Sequence, residues 1–223
     1  MTAFDLIIFD CDGVLVDSEP ITNRVFRDML RELGASVTLD DMYERFLGHS
    51  MAHCLGLARE VIGRDVPADF EDRYRERTTA ALAAELLPVR GIEAMLDALA
   101  LPSCVASSGD HRKMRTTLGL TGLLPRFEGR LFSVTQVARG KPAPDVFLLA
   151  AEQMGAAPER TAVVEDTPVG VAAGRAAGMT VFGYAGRTPA HRLSEAGASE
   201  VFSRMSELPR LLSGPPPPPS GRS

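Results

Sequence analysis

Leu6-Ile7-Ile8-Phe9-Asp10-Cys11-Asp12-Gly13-Val14-Leu15-Val16-Asp17-Ser18-Glu19 is the stretch whose reading decides the fold. The apolar run from Phe4 to Phe9 reads as a short, fully buried strand, the kind found in the middle of a parallel sheet. It ends in two carboxylates two residues apart, followed at once by a glycine. Residues i and i+2 of an extended chain face the same way, so Asp10 and Asp12 share one small space at the strand's carboxyl end. In open α/β sheets that edge is where ligands bind. Two close carboxylates repel unless a cation or a proton intervenes. The pair therefore predicts a divalent metal, or one carboxyl kept protonated for acid–base work, or both.

Beyond this stretch the rhythm changes. Glu19 to Leu33 places Ile21, Val25, Met29, Leu30 and Leu33 on one helical stripe, with Gly34 as the stop. Thr38-Leu39-Asp40-Asp41 resembles a capping box with Asp in place of the usual Glu, and opens a helix to Phe46. Ser50 is placed to cap a helix running to Ile62, and Pro67 to Leu87 reads as a long helix rich in Arg and Ala. No strand signal interrupts Glu19 to Leu87, so the block reads as a helical insert. After Gly91 strands and helices alternate. Strands are predicted at Ser103–Ser107, Leu131–Val134, Thr161–Val164 and Met179–Tyr184. Helices are predicted at Ile92–Ala100, Lys113–Leu118, Asp145–Met154 (with Asp145 placed as its cap) and Gly170–Ala177. Such alternation implies a doubly wound, Rossmann-like parallel sheet with helices on both faces. The expected division is core over 1–14, an α-helical cap over 15–88, the rest of the α/β core over 89–213, and a disordered Pro-rich tail over 214–223. Hinges are expected near Leu15–Ser18 and Leu87–Gly91.

Composition narrows the function classes. A chain of 223 residues has room for one large domain or a domain plus an insert. A formal net charge of −5 offers no global basic field for nucleic acid or acidic membranes. The apolar runs fall short of a membrane span, and Met1-Thr2-Ala3-Phe4-Asp5 lacks the basic start of a signal peptide. Cys11, Cys54 and Cys104 make no disulfide or zinc pattern, so a reducing cytoplasm is expected. The oligomeric state stays open, with a monomer slightly favoured.

Three further motifs follow strand-like runs in order: Val105-Ala106-Ser107-Ser108-Gly109, Gly140-Lys141-Pro142-Ala143-Pro144-Asp145, and Val163-Val164-Glu165-Asp166. Together with Asp10-Cys11-Asp12-Gly13 they resemble the four motifs of the haloacid dehalogenase superfamily, and the match runs from Phe4 to about Phe202. The resemblance implies a Mg²⁺-dependent phosphatase acting on a small phosphorylated metabolite. Asp10 corresponds to the nucleophile that becomes an aspartyl phosphate, and Asp12 to the general acid and base. Ser107, with Ser108 as its nearest competitor, corresponds to the phosphate-binding hydroxyl, and Lys141 to the ammonium aimed at nucleophile and phosphate. The metal set it implies is Asp10, the main-chain carbonyl of Asp12, Asp166 and, directly or through water, Glu165. The run from Asp10 to Glu19 is most like that of the capped sugar-phosphate phosphatases, including 6-phosphogluconate phosphatase-like members.

β-Phosphoglucomutase shares every core motif, but its cap carries a His near position 22 and an Arg near 51, where this chain has Thr22 and Met51. A non-catalytic phosphometabolite-binding module is a third reading, and the joint presence of Asp10, Asp12, Lys141 and Asp166 argues against it. His49, after Gly48 in a loop between helices, is the candidate substrate contact from the insert. His53 completes an i, i+4 pair with it, but no third metal ligand accompanies them. Arg73, Arg75 and Arg77 alternate with acids and read as a salt-bridged, solvated face. Gly170, Gly174 and Gly178 read as close helix-on-sheet packing.

Overall fold

The computed structural model describes residues 3–46 and 51–214. Six strands form one parallel sheet: β1 Leu6–Phe9, β2 Ser103–Ser107, β3 Leu131–Ser133, β4 Thr161–Glu165, β5 Thr180–Tyr184 and β6 Glu200–Phe202. Their order is β3-β2-β1-β4-β5-β6, with every neighbouring pair parallel. The described helices are α1 Glu19–Glu32, α2 Leu39–Arg45, α3 Met51–Ile62, α4 Phe70–Glu85, α5 Ile92–Asp97, α6 His111–Leu120, α7 Leu124–Phe127, α8 Asp145–Gln153, α9 Pro168–Ala176, α10 Ala190–Ala196 and α11 Leu208–Ser213. This is a doubly wound α/β core with an inserted helical cap, as the alternation implied. The chain winds from β1 out to β3, then returns to the other side of β1, so the topological switch lies between β1 and β4.

Two compact units divide the chain: Met1–Asp17 with Leu87–Ser223, and Ser18–Leu86. In the first unit, Ile8, Val163 and Val181 of the central strands pack with Val146 and Phe147 of α8 and Val171 of α9, all fully buried. Where the chain leaves and re-enters this unit its two segments are tied together. Asp17 N–H donates to Leu87 O at 3.0 Å, and Val89 N–H to Leu15 O at 2.9 Å. The second unit is all helical. Phe26 of α1 is its aromatic hub, with ring centroids 5.6 Å from Phe46, 5.4 Å from Phe70 and 5.2 Å from Tyr74. Thr38 and Asp41 form the expected capping box at α2. Arg73, Arg75 and Arg77 pair with Glu32, Glu71 and Asp72 on exposed surface.

Some sequence expectations need correction. Asp145 does not cap α8: Pro144 holds the cap position, and Asp145, the first helical residue, binds Arg139 at 2.8 Å. Thr167 caps α9 instead, accepting from Gly170 N, with Pro168 fixing the first turn. Gly170 and Gly174 do sit against close neighbours, but Gly178 lies in an open turn at φ +76° and packs against nothing. The elements β6, α10 and α11 had no expectation, being short and weakly patterned. Ser50, the proposed cap of α3, and the Pro-rich run from Pro215 lie outside the described residues. Among the described residues no helix is long and apolar enough to cross a membrane.

Helical glycines give a test of opposite signs. A methyl at Gly174 would stand 2.7 Å from Val181 Cγ2 and 3.4 Å from Val163 Cγ1, between helix and sheet. Gly174→Ala is therefore expected to cost about 1–3 kcal/mol by overpacking. Gly56, inside α3, has nothing within 4 Å of its Cβ position, and Gly56→Ala should gain about 0.5–1 kcal/mol from helix propensity. Urea unfolding of both variants checks this, and stabilisation by Gly174→Ala would contradict the packing.

Candidate active site

The site grows from the carboxyl ends of the three central strands. Phe9, the last residue of β1, pairs with Val105 and with Val164, so β2 runs on to Ser107 and β4 to Glu165 beside the loop that follows β1. Asp10 N–H donates to Val164 O at 2.9 Å, so the residue after β1 stays in register with β4 as its chain turns to function. Asp10, Glu165 and Asp166 are all buried, and each offers an oxygen within 4.8 Å of the others. They flank the topological switch.

Lys141, from the connection between β3 and α8, is the hub. Its Nζ donates to Asp10 Oδ1 at 2.6 Å, to Glu165 Oε1 at 2.7 Å and to Ala106 O at 3.0 Å, which uses all three ammonium protons. The Phe147 ring lies below it, 4.7 Å from Nζ to centroid. Burial works against the Lys141 charge, yet Asp10 and Glu165 outweigh it and hold the ammonium above its ordinary pKa. Burial pushes the Asp10 carboxyl up to about 7; the Lys141 charge opposes this, while Glu165 and Asp12 add to it.

Glu165 is held on both oxygens. Oε1 takes Lys141, while Oε2 accepts from Asp166 N, Thr167 N and Thr167 Oγ1 at 3.0–3.1 Å, at the start of α9. Gly170, one turn on, makes this possible: a methyl there would fall 1.8 Å from Glu165 Oε1. Gly13 plays the same part for Asp166. It sits at φ +78°, and a Cβ would meet Asp166 Oδ2 at 2.0 Å. Glycine after the second aspartate thus lets the β1 loop close over the carboxylates of β4.

The remaining expected residues fall in distinct places. Asp12 is partly exposed and its Oδ2 accepts from Lys113 Nζ at 2.7 Å. Cys11 precedes it in the loop that follows β1. It is buried, its Sγ lies 3.8 Å from Thr117 Oγ1, and burial pushes its thiol well above the ordinary value. Ser107 is buried at the end of β2 and its Oγ accepts from Gly109 N at 3.0 Å, whereas Ser108 is exposed. His49 lies outside the described residues, and His53 is exposed on α3. Lys113 was missed. The signal was available, since Asp110 after the Ser-Ser-Gly turn is a good N-cap and puts Lys113 in the first turn of α6, beside the loop.

The donor set suits a hard divalent cation. Three buried carboxylates face one buried ammonium, leaving excess negative charge in a confined space. All donors are oxygen, the preference of Mg²⁺, which binds them at ~2.1 Å. Carboxylate oxygens within 4.8 Å of one another need little adjustment to share such an ion.

Acidic groups and a buried lysine thus gather at the carboxyl edge of a doubly wound sheet, where such folds bind their ligands. The chain belongs to the haloacid dehalogenase-like hydrolase family, whose model matches residues 4–178. It is 31% identical over 212 residues to a 6-phosphogluconate phosphatase of Escherichia coli, covering 95% of this chain and 96% of that one. A haloacid dehalogenase-like protein of Agrobacterium tumefaciens superposes with a TM-score of 0.87 at 37% identity, over 93% of this chain and 97% of the other. A family hydrolase of Deinococcus radiodurans, solved with bound phosphate and sodium, superposes with 0.83 at 32% identity, over 95% and 96%.

Removing the hub should be costly for the fold as well. Lys141→Met would leave Asp10 and Glu165 buried without their shared cation, and a loss of about 3–5 kcal/mol is expected in metal-free protein. A loss below about 1 kcal/mol in urea unfolding, the range of an exposed ion pair, would show that the ammonium does not hold the carboxylates together.

Proposed function

We propose that this protein is a cytoplasmic, Mg²⁺-dependent phosphatase that hydrolyses a small phosphorylated metabolite, a sugar or sugar-acid phosphate, through an aspartyl phosphate on Asp10. The observation that carries the reading is the Asp10 carboxylate, anchored on one oxygen by a buried ammonium in an acidic pocket, with Asp12 two residues further along the same loop. The name of the Escherichia coli relative and the phosphate bound in the Deinococcus hydrolase support it. The three buried, free cysteines suit a reducing compartment.

In this reading Asp10 attacks phosphorus. The Asp10 O–P bond forms as the ester P–O bond breaks, and the electron pair leaves with the ester oxygen. Asp12 protonates that oxygen, then takes the proton of the water that attacks the phosphoenzyme and restores the Asp10 carboxylate. Lys141 holds Asp10 in place and offsets the charge of the incoming phosphate, while Ser107, with Ser108, and the backbone at the start of α6 bind the phosphate oxygens. Asp10 and Asp166 through their carboxylates, and Asp12 through its main-chain carbonyl, would hold Mg²⁺. Glu165, whose oxygens also accept from Lys141 and the α9 turn, would reach the ion directly or through a bound water. When bound, the ion supplies positive charge against the transferring phosphoryl group. Cationic donors, backbone and metal can thereby lower a barrier that is otherwise very high for phosphate monoesters.

A mutase would have to grip and reorient a bisphosphate. The positions where β-phosphoglucomutase carries a His and an Arg are here Thr22, whose hydroxyl donates to Glu19 O at 3.1 Å within α1, and Met51, the first residue of α3. Neither supplies a cation, so water is the proposed acceptor.

Asp10→Asn should fold normally and lose turnover by several orders of magnitude on every phosphate ester; substantial residual turnover would sink the covalent route. Chelation should abolish phosphate release and added Mg²⁺ should restore it, with Asp166→Ala needing far more Mg²⁺ or remaining inactive. Full activity in chelator would remove the metal from the account. Glucose 1-phosphate with a bisphosphate primer should yield little glucose 6-phosphate, and interconversion faster than phosphate release from any substrate would favour the mutase.

A further inference from the structure

We propose that Lys113 is a positioning residue for the proton transfer of this reaction. It fixes the rotation of the Asp12 carboxylate by holding Oδ2, so that Asp12 meets the ester oxygen and later the attacking water in one orientation. The inference rests on the phosphatase reading above and adds a residue that the four motifs do not contain.

Three features converge on the Lys113 position. Its backbone is set by the Asp110 cap, whose Oδ1 accepts from Lys113 N at 2.7 Å. Its stem lies along the Ser-Ser-Gly turn, where the space a Cβ would take at Gly109 is 3.2 Å from Lys113 Cδ. A side chain at position 109 would force the stem to give by a few tenths of an ångström. Its ammonium then ends 2.7 Å from Asp12 Oδ2. One turn further along α6, Thr117 reaches Cys11, with its Oγ1 3.8 Å from Cys11 Sγ, and its hydroxyl lies 3.1 Å from Lys113 O. Two successive residues of the β1 loop, Cys11 and Asp12, are therefore braced from one helix.

The physical need is clear. A carboxylate on a partly exposed loop rotates about χ2 in a broad well, and proton transfer requires the donor oxygen within hydrogen-bond reach of the reacting oxygen. A charge-assisted contact to one oxygen restricts that rotation. As Asp12 gives its proton, the ester P–O bond breaks and the electron pair stays on the leaving oxygen. As it takes the proton of water, the new P–O bond forms and the Asp10 O–P bond breaks. Lys113 keeps its three protons throughout.

The test uses leaving groups of different basicity. An alkyl phosphate such as glycerol 3-phosphate must have its leaving oxygen protonated; p-nitrophenyl phosphate need not. The kcat/KM value reports only the steps up to departure of the leaving group. For Lys113→Met, kcat/KM should fall about tenfold or more on the alkyl ester and less than about threefold on the aryl ester, a part of the 10²–10⁴ that general acid–base catalysis contributes. Asp12→Asn should show the same selectivity more strongly, and Lys113→Arg, which keeps a cation in reach, should recover part of the alkyl-ester rate. An equal loss on both esters would make Lys113 a mere source of positive charge and overturn the proposal, as would no loss on either. If the wild type and Asp12→Asn behave as described and Lys113→Met does not, this inference alone fails. If the wild type releases phosphate from no ester, the phosphatase reading fails first and this one with it.

Discussion

The ammonium of Lys141 is the contact on which the site depends. Carboxylates from β1 and β4 are buried within 4.8 Å of one another, an arrangement that costs free energy for every charge it keeps out of water. Lys141 makes it tolerable by donating to Asp10, Glu165 and the Ala106 carbonyl together, so one cation ties the ends of all three central strands. The same contact explains why the site still carries excess negative charge. One ammonium cannot neutralise three buried acids, and the shortfall is what a divalent cation can fill. Burial, ahead of any neighbouring charge, pushes the Asp10 carboxyl up to about 7.

The topology delivers the carboxylates to one edge of the sheet. Because β1 lies between β2 and β4 in a parallel sheet, the residues that follow each strand emerge at one edge. Helix starts then finish the work. The α9 turn holds Glu165 through Asp166 N and Thr167, and α6, capped by Asp110, brings Lys113 to Asp12. Glycine appears where carboxylates must approach backbone, at Gly13 against Asp166 and at Gly170 against Glu165. Arg187 adds a bidentate grip on Asp17, at 2.7 and 3.0 Å, near the point where the chain leaves the core.

Much of this is legible in the sequence because the signals are local. The apolar run before Asp10, the strand Ser103–Ser107 and the alternation after Gly91 depend on periodicity, and the structure keeps their bounds within a residue or two, save that α5 stops at Asp97, three residues short of Ala100. The Thr38–Asp41 box is a four-residue pattern and appears as read. What sequence reading missed depends on contacts between distant positions. Lys113 and Asp12 are 101 residues apart: the Asp110 cap places Lys113 in the first turn of α6, but only the fold brings that turn to Asp12. Asp145 looked like a cap, but Arg139, six residues earlier, claims its side chain and Pro144 takes the cap position. The edge strand β6 is three residues long with an exposed start, too short for a pattern. That Glu165 binds Lys141, and does not simply face a metal, likewise required the sheet to bring β4 beside the β3–α8 connection.

The account's central claim is that Asp10 carries the phosphoryl group. The most direct measurement is acid quenching of the enzyme during turnover of an active phosphate ester with Mg²⁺, followed by proteolysis and mass spectrometry. The account expects one acid-stable phosphoryl group on the peptide containing Phe9-Asp10-Cys11, labile to hydroxylamine as an acyl phosphate is and absent from Asp10→Asn. A phosphoryl group on another residue, or sustained turnover with no labelled peptide at any quench time, would contradict it.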